Sequence, residues 1–412
     1  MAIDHARPRF YLHVIAVALI GGFFVLGWLA LYTLFTDHVW YSDWVTSHRW
    51  IFPAICLPFS LLVGLLVKHF HAPNNLEGSA LDNLTGDVSA IDGRRLPVTV
   101  AQSYASLFSG AALGPEGGIG AIASQLAALY NDKLRIPAAE RSKIIFGSVS
   151  SAYNGLLENA VFTGVLASEL QERKAGQATL PANLLGGAVG YCVFLILGGT
   201  GLANLLQLTP VSKFELLDVL WVVLLALVGM ALAVIAGIML RVAAAIFARL
   251  DDRPVARALS AGVVFSVVGS LAPIVMFSGE DQVETVVSDP SHYGIALLLV
   301  MAIGKLALLA TAFKSGFLGG PTFPSIFACV CVAEAIHIAL PGLALPIVIA
   351  AVVAGFLMVL FKTPFMVVLL TSFMLGASAN LIALIVFAVA TALIVAPVLA
   401  QLVASRQQAS SA

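Results

Sequence analysis

The sequence predicts an all-α, polytopic integral membrane protein, and three observations support that fold class. Of its 412 residues, 60% are hydrophobic and 10% are charged, whereas soluble domains carry about 25% charged residues. Several apolar runs approach the roughly 20 residues that a helix needs to cross a bilayer. Other apolar segments are short and interrupted by Gly and Pro, which is typical of broken helices that line a site within the membrane.

The long apolar runs are predicted to be membrane-spanning helices. They are Phe10–Phe35, Ile51–Val67, Leu216–Ile246, Tyr293–Ala312 and Leu381–Val403. Backbone groups cannot stay unpaired in lipid, so a spanning segment is either a helix or part of a closed barrel. Barrel strands alternate apolar and polar residues. These runs are apolar on every face, which indicates helices.

Basic residues at the two ends of the chain predict its orientation. His5, Arg7 and Arg9 precede the first run and Arg406 follows the last. By the positive-inside rule, both termini are expected in the cytoplasm, with the chain in a plasma (bacterial inner) membrane. The first run is too long for the apolar core of a cleavable signal peptide. With no linker or appended soluble domain, residues 1–412 are expected to form a single membrane domain.

The sequence argues against an enzyme and against a metal protein. It contains no paired-aspartate motif, no His-Glu-x-x-His and no Gly-x-Ser-x-Gly. No cofactor, metal or nucleic-acid partner is expected. The four cysteines lie in apolar stretches without metal-type spacing, which predicts packing residues; they are Cys56, Cys192, Cys329 and Cys331.

Two interrupted segments match each other. Segment 109–116, Ser-Gly-Ala-Ala-Leu-Gly-Pro-Glu, aligns without a gap on segment 315–322, Ser-Gly-Phe-Leu-Gly-Gly-Pro-Thr, at a spacing of 206 residues (320 − 114). A weaker echo pairs Asn159–Gly164 with Lys362–Val367. The pattern predicts a two-fold structural repeat with halves near 10–200 and 212–404, either parallel or inverted. Chance recurrence of Gly-Pro pairs is the alternative.

Segment Gly114–Gly120, Gly-Pro-Glu-Gly-Gly-Ile-Gly, has the composition of an anion site. Where Gly-rich backbone opens a helix, unpaired N–H groups and the helix dipole favour a negative charge. One dipole contributes about 0.3–2 kcal/mol, far less than dehydrating an ion costs. Several helix ends must therefore converge. The matching Gly319–Pro324 is expected to supply a second end, and the segment after Glu77–Ser79 a third.

Glu116 is a carboxylate among glycines and apolar residues. An ionisable side chain inside a membrane segment indicates a functional role by default. Beside helix N-termini, it can occupy the anion site when ionised and leave it when protonated. The alternative is a helix-capping carboxylate without a transport role.

These segments resemble the signature loops of the CLC superfamily of chloride channels and chloride/proton antiporters. The family patterns are G-S-G-I-P, G-x-E-G-P and G-x-F-x-P. Gly114–Gly118 keeps the Glu of the second pattern but lacks its final Pro. Gly320–Pro324 resembles the third with its aromatic displaced by one position. Gly78–Asp82 keeps only the Gly-Ser of the first. The likeness covers most of the chain and is greatest to a short bacterial branch described as ion-transport proteins.

The resemblance implies a role for each matching position. Glu116 resembles the external gating glutamate and Ser79 the serine that coordinates chloride. The backbone amides expected to contact the ion are those of Gly117, Gly118, Thr322 and Phe323. The family's two halves are inverted, so the resemblance implies an inverted repeat with broken helices. It also implies a homodimer with one pore in each subunit.

Two departures from the family concern proton coupling. Gln171 stands where proton-coupled members carry an internal glutamate, with Glu169 and Glu172 nearby as candidates for a proton path. Leu399 stands at the position of the inner-gate tyrosine. The expected function is transport of a small inorganic anion, chloride by default, gated by Glu116, with protons as candidate co-substrates. A passive, voltage- or pH-gated anion channel is the alternative that these departures favour.

Polar residues near the second Gly-Pro segment have structural interpretations. Lys305 and Lys314 flank that segment, and interfacial lysines extending to the membrane surface are favoured over a role in attracting anions. Glu334 and His337, at i and i+3 of one helix face, are expected to hydrogen-bond to each other. Two ligands are too few for a metal.

Overall fold

The computed structural model describes residues 8–73, 91–170, 173–198 and 205–411. These residues form α-helices joined by short turns, and their one β-type pairing is an isolated bridge. The predicted all-α fold class is confirmed. Sixteen α-helices lie in the described ranges. They are α1 (Pro8–Phe35), α2 (Asp43–Ser47), α3 (Phe52–Phe70), α4 (Leu96–Phe108), α5 (Glu116–Lys133), α6 (Ala138–Leu156), α7 (Phe162–Leu170), α8 (Arg173–Ile196), α9 (Leu216–Phe247), α10 (Pro254–Leu271), α11 (Glu280–Ser288), α12 (Pro290–Lys314), α13 (Thr322–Ala339), α14 (Leu345–Phe361), α15 (Pro364–Met374) and α16 (Ala379–Ser411).

Eight segments in the described ranges are long and apolar enough to cross a membrane. The five apolar runs of the sequence fall in α1, α3, α9, α12 and α16. Among the eight, the segment formed by α13 has the largest buried share, 78%. Helices α14 and α15 are apolar but shorter, with 17 and 11 residues. The protein is therefore an integral membrane protein with many candidate spanning helices, accompanied by shorter apolar helices.

The chain folds into two compact units, of which the first draws on both halves of the sequence and the second almost entirely on the second half. The first unit combines residues 1–203, 240–279 and 307–324, and the second combines 204–239, 280–306 and 325–412. Helices α1 to α8 and α10 belong to the first unit. Helices α11 and α14 to α16 belong to the second, together with most of α9, α12 and α13. The expected single membrane domain remains a prediction.

Helix order recurs between the two halves of the sequence. Helices α5 and α13 each have 18 residues. Helices α5 to α8 begin 202 to 207 residues before α13 to α16, taken in order. A nine- to eleven-residue helix, α7 or α15, stands third in both series. This correspondence supports the two-fold repeat, whose halves and inversion stay predictions.

Small residues bring α6 and α8 of the first unit into close contact. A Cβ atom at Gly186 would lie 2.2 Å from the Gly147 carbonyl oxygen, and one at Gly190 would lie 2.1 Å from the Ser151 carbonyl oxygen. The Ser151 hydroxyl donates to the Ala18 carbonyl of α1 at 2.6 Å. Membrane helices associate through such close packing because lipid supplies no hydrophobic drive between them.

Gly190→Ala is expected to destabilise the first unit, because the new methyl group cannot fit against the Ser151 carbonyl. Overpacking of this kind costs about 1–3 kcal/mol. Thermal unfolding of purified protein in detergent, followed by circular dichroism, measures the loss. Gly237→Ala is the matched control, since a Cβ there meets no atom within 4 Å. Equal unfolding temperatures for the two variants would contradict the packing argument.

Reciprocal glycine contacts also join α9 and α14 in the second unit. A Cβ at Gly229 would lie 2.1 Å from the Val352 carbonyl oxygen, and one at Gly355 would lie 2.3 Å from the Ala226 carbonyl oxygen. Each glycine thus packs directly against the backbone of the other helix. Both units therefore use the absence of a side chain to bring helix backbones together.

Candidate functional site

The two matching Gly-Pro segments meet in the first unit. Gly114 and Gly320 pair as an isolated antiparallel bridge. The Gly114 N–H donates to the Gly320 carbonyl at 2.9 Å, and the Gly320 N–H donates to the Gly114 carbonyl at 2.7 Å. Segments that the sequence alignment placed 206 residues apart are thus joined through equivalent glycines.

A helix begins two residues after each glycine of the bridge. Helix α5 starts at Glu116, after Pro115, and α13 starts at Thr322, after Pro321. The first N–H groups of a helix have no partner within it, so both starts present donors beside the bridge. Each N-terminus also carries the positive end of its helix dipole.

The Glu116 carboxylate binds across to the second helix start. Its Oε1 accepts a hydrogen bond from the Thr322 N–H at 2.8 Å. The Glu116 N–H, the Thr322 hydroxyl and the Phe323 N–H also lie near the carboxylate. Its Oε2 is buried and has no hydrogen-bond partner among the described residues. The side chain belongs to one helix start while its charge is held at the other.

The glycines of the bridge leave room for this carboxylate. A Cβ at Gly114 would lie 1.9 Å from Glu116 Oε2, and one at Gly320 would lie 2.1 Å from Glu116 Oε1. A Cβ at Gly117 would lie 2.4 Å from the Gly319 carbonyl oxygen. Any larger residue at Gly114 or Gly320 would occupy the space of the carboxyl group. The Gly-rich composition therefore serves close approach as well as donor exposure.

Two influences oppose each other at Glu116. The residue is 8% exposed, and burial disfavours the ionised form, whereas hydrogen bonds from N–H groups favour it. Among the described residues, no ion pair with Glu116 adds to the stability of the ionised form. The protonation state of Glu116 therefore depends on the balance between burial and these hydrogen bonds.

Tyr153 is a site residue that sequence reasoning missed. Tyr153 lies on α6, and its hydroxyl donates a hydrogen bond to the Glu116 backbone carbonyl at 2.7 Å. Both groups are buried. The bond holds the first turn of α5 against α6 through the Glu116 backbone and does not involve its carboxylate. A tyrosine among the small residues of α6 was the available signal, but the sequence does not show which carbonyl it reaches.

The polar face of α4 is a second feature that sequence reasoning missed. Gln102 donates through Nε2 to the Gly316 carbonyl at 2.7 Å, and Ser106 accepts from the Leu318 N–H at 2.8 Å. Both side chains are fully buried. They hold the loop before α13 from the side of α4. The spacing of polar residues at i and i+4 was the available signal.

The structure brings together most of the residues expected at the site. Glu116 and Thr322 are in direct contact, and Phe323 is buried at the second position of α13. Gly117 and Gly118 form the first turn of α5, where their N–H groups are among those without helical partners. A Cβ at Gly118 would lie 2.0 Å from Ser103 Oγ, so this glycine packs on α4.

Other expected site residues are described in part or not at all. Ser79, Gln171 and Glu172 lie outside the described residues, as does the predicted third helix start after Glu77. Glu169 is half-buried near the end of α7. Leu399 lies within α16, but its side chain is outside the described part. Their roles remain predictions.

Two expectations about polar residues near the second segment were wrong. Lys305 is fully buried, with Nζ 4.7 Å from the centre of the Phe327 ring, so it is not an interfacial lysine. Glu334 does not bond to His337, whose Nδ1 pairs with the Leu343 carbonyl at 2.9 Å. In both cases the direction of the side chain, which position along the helix does not determine, decides what the residue contacts.

This fold and this site define a class of membrane protein in which two Gly-Pro loops bring two helix starts onto one buried carboxylate. Residues 59–397 match the family model described as voltage gated chloride channel. The chain belongs to this family, within the CLC superfamily, and the resemblance carried by its signature segments is confirmed.

Relatives and solved structures agree with this assignment. The chain is 22% identical over 324 residues to YfeO of Escherichia coli O139:H28 (strain E24377A / ETEC), a protein named for ion transport, covering 76% of this chain and 74% of YfeO. YfeO of Shigella boydii serotype 4 (strain Sb227) has the same identity and coverage. The crystal structure of a slow cyanobacterial Cl⁻/H⁺ antiporter matches with a TM-score of 0.81 at 18% identity, covering 96% of this chain and 95% of that one. A CLC-type fluoride/proton antiporter matches with a TM-score of 0.75 at 18% identity, covering 93% and 94%.

Proposed function

We propose that the protein transports a small inorganic anion across the membrane, with chloride preferred, through a path gated by Glu116. The observation that carries this proposal is the Glu116 carboxylate held by the Thr322 N–H at the start of α13. A carboxylate is itself a small anion, so the geometry displays the kind of ligand that these donors accept. The relatives' names and the titles of the solved structures, which concern ion, chloride and fluoride transport, support the same class of substrate.

Gating follows from competition for the same donors. An ionised Glu116 occupies the Thr322 N–H and the space between Gly114 and Gly320. A transported anion needs those donors to offset its own dehydration. Protonation removes the carboxylate's charge and weakens its hold on the N–H group. The site then becomes available to the anion.

The direct test is anion efflux from proteoliposomes with an imposed chloride gradient, with internal pH recorded alongside. Chloride efflux above that of protein-free liposomes is expected. Replacing internal chloride by fluoride in a second set of vesicles measures anion preference. Absence of efflux for every anion, from protein that remains monodisperse, would refute the proposal.

Ser79 is proposed to contribute to the same anion site. Ser79→Ala is expected to weaken chloride binding about tenfold or more, because a hydrogen bond to a charged group contributes about 1.5–3 kcal/mol. Isothermal titration calorimetry with chloride measures the change. Ser60→Ala is the control, since Ser60 is a fully buried serine of α3. Equal affinities in the two variants would remove Ser79 from the site.

A passive anion channel is the second candidate function, and Gln171 and Leu399 favour it. Passive flow needs no proton path. In the vesicle experiment, chloride efflux without proton movement identifies the channel, and counter-movement of protons identifies exchange. We also propose that the protein lies in a bacterial inner membrane with both termini in the cytoplasm. Its proposed oligomeric state is a homodimer. Chemical cross-linking in native membranes tests the dimer.

A further inference from the structure

Helix α13 carries a second buried carboxyl group, Glu334, in the part that belongs to the second unit. The residue is fully buried, and neither Oε1 nor Oε2 has a hydrogen-bond partner among the described residues. Burying an ionised carboxylate without donors costs several kcal/mol. A carboxyl group in this setting is stable when it is neutral or when a positive charge stands close by.

A basic side chain lies in the same buried cluster. Lys305 of α12 is fully buried, and its Nζ lies over the Phe327 ring of α13. Lys305 and Glu334 both interact electrostatically with Cys331. Phe327, Cys331 and Glu334 are spaced at i, i+4 and i+7, so they share one face of α13. One acid and one base therefore flank a shared neighbour inside the second unit.

The other titratable groups around this cluster belong to three helices. Glu280 at the start of α11 interacts with Lys305, and Tyr293 of α12 interacts with Cys331. On α13 itself, Cys329 is buried and His337 is turned toward the Leu343 carbonyl. Among the described residues, the acidic and basic groups that act on Lys305, Cys331 or Tyr293 are Glu334, Lys305, Glu280 and Asp289.

We propose that Glu334 is a proton-binding site of the transport cycle, with Lys305 as its electrostatic counterpart. The inference rests on the proposed function of anion transport. A proton bonds to one carboxylate oxygen from water on one side of the membrane and returns to water on the other. Binding adds one positive charge to the cluster, and in a low-dielectric interior that charge favours occupancy of the anion path. Proton and anion binding are then linked reciprocally.

Helix α13 contains both Thr322 of the first unit and Glu334 of the second unit. It begins at Thr322, whose N–H binds Glu116, and reaches Glu334 twelve residues later. A static buried ion pair is the competing interpretation of Glu334 and Lys305. Such a pair would contribute to folding and would leave the ratio of protons to anions unchanged when it is neutralised.

The experiment uses full-length protein in liposomes, with a chloride gradient driving uphill proton movement. Glu334→Gln, which has no carboxylate to bind the proton, is expected to lower the proton-to-chloride ratio about tenfold or more, with chloride efflux still above that of protein-free liposomes. Glu284→Gln is the matched control, because it neutralises an exposed carboxylate of α11 in the same unit. Native coupling is expected in that control and in Glu334→Asp.

Lys305→Met provides a second measurement, the midpoint of the pH profile, which should not change if the residue has only a structural role. Without the ammonium group, an ionised Glu334 is less stable, so the midpoint of the pH profile of proton-driven transport should shift to higher pH. This variant also tests the proposal if Glu334→Gln fails to fold. An unchanged midpoint in folded Lys305→Met protein would overturn the pairing.

The outcomes separate this inference from the proposed function. No chloride efflux from native protein would refute anion transport itself. Chloride efflux without proton movement in native protein would overturn Glu334 as a proton site and leave anion transport standing. A native proton-to-chloride ratio in Glu334→Gln, or an equal loss in Glu284→Gln, would also overturn it. A ratio that survives Glu334→Gln and falls with combined Glu169→Gln and Glu172→Gln would assign the proton path to the predicted carboxylates instead.

Discussion

Glu116→Gln is expected to raise anion flux at neutral pH and to abolish its response to external acid. The substitution keeps the shape of the side chain and removes the charge that the Thr322 N–H holds. A hydrogen bond to a charged group contributes about 1.5–3 kcal/mol, so losing this competitor should raise neutral-pH flux about tenfold or more. Glu116→Ala empties the site and should have the same effect.

The pH dependence has a definite sign. In the native protein, acid converts Glu116 to its neutral form, which competes less for the donors, so flux rises as external pH falls. The Gln and Ala variants have no carboxyl group there, and their flux should be flat across the same pH range. Any proton coupling that passes through Glu116 should vanish with them.

Isotopic chloride efflux from liposomes containing oriented protein, measured across external pH, makes this test. Glu215→Gln is the control, since Glu215 is an exposed carboxylate before α9. A Glu116→Gln variant that folds normally and keeps native flux and pH response would contradict gating and indicate that Glu116 is only a helix cap.

Gly320→Ala is expected to open the same gate without touching Glu116. The new methyl carbon would lie 2.1 Å from Glu116 Oε1, so the carboxylate and the methyl group cannot occupy their places together. The side chain can rotate away, whereas the backbone bridge of Gly114 and Gly320 holds two helix starts in place. Displacement of the carboxylate is therefore the cheaper response, and flux at neutral pH should approach that of Glu116→Ala.

A double-mutant cycle distinguishes displacement of the gate from general damage. If Gly320→Ala acts by moving the Glu116 carboxylate, it should add little to flux in a Glu116→Ala background, because the two changes share one target. Gly304→Ala is the control, since a Cβ at Gly304 of α12 meets no atom within 4 Å. Additive effects, or native flux in folded Gly320→Ala protein, would contradict the proposed geometry.

Much of the architecture could be predicted from the pattern of residue types. Apolar runs identified the helices α1, α3, α9, α12 and α16, because a span in lipid must be long, apolar and internally hydrogen-bonded. Gly-Pro pairs identified the starts of α5 and α13, because Gly admits close backbone approach and Pro suits a helix start. The signature segments also placed Glu116 and Thr322 in one site, and these two residues are in contact.

The partners of the buried polar side chains could not be predicted in the same way. Tyr153 and Gln102 each reach a carbonyl on a different helix or loop, and Lys305 is covered by the Phe327 ring. Spacing along a helix tells which residues share a face, but not which element covers that face. For the same reason the expected bond between Glu334 and His337 was wrong.

Residue order alone thus establishes a many-spanning helical membrane protein with a carboxylate at a Gly-rich helix start and a matching segment 206 residues later. Tertiary structure decides that Gly114 and Gly320 pair, and that the Glu116 carboxylate is held by the opposite helix start. It also decides that Glu334 is buried with no hydrogen-bond partner among the residues that the structure describes. The reason is physical. Periodicity and composition express the demands of lipid on each segment separately, whereas hydrogen bonds and exclusion of water arise when distant segments meet.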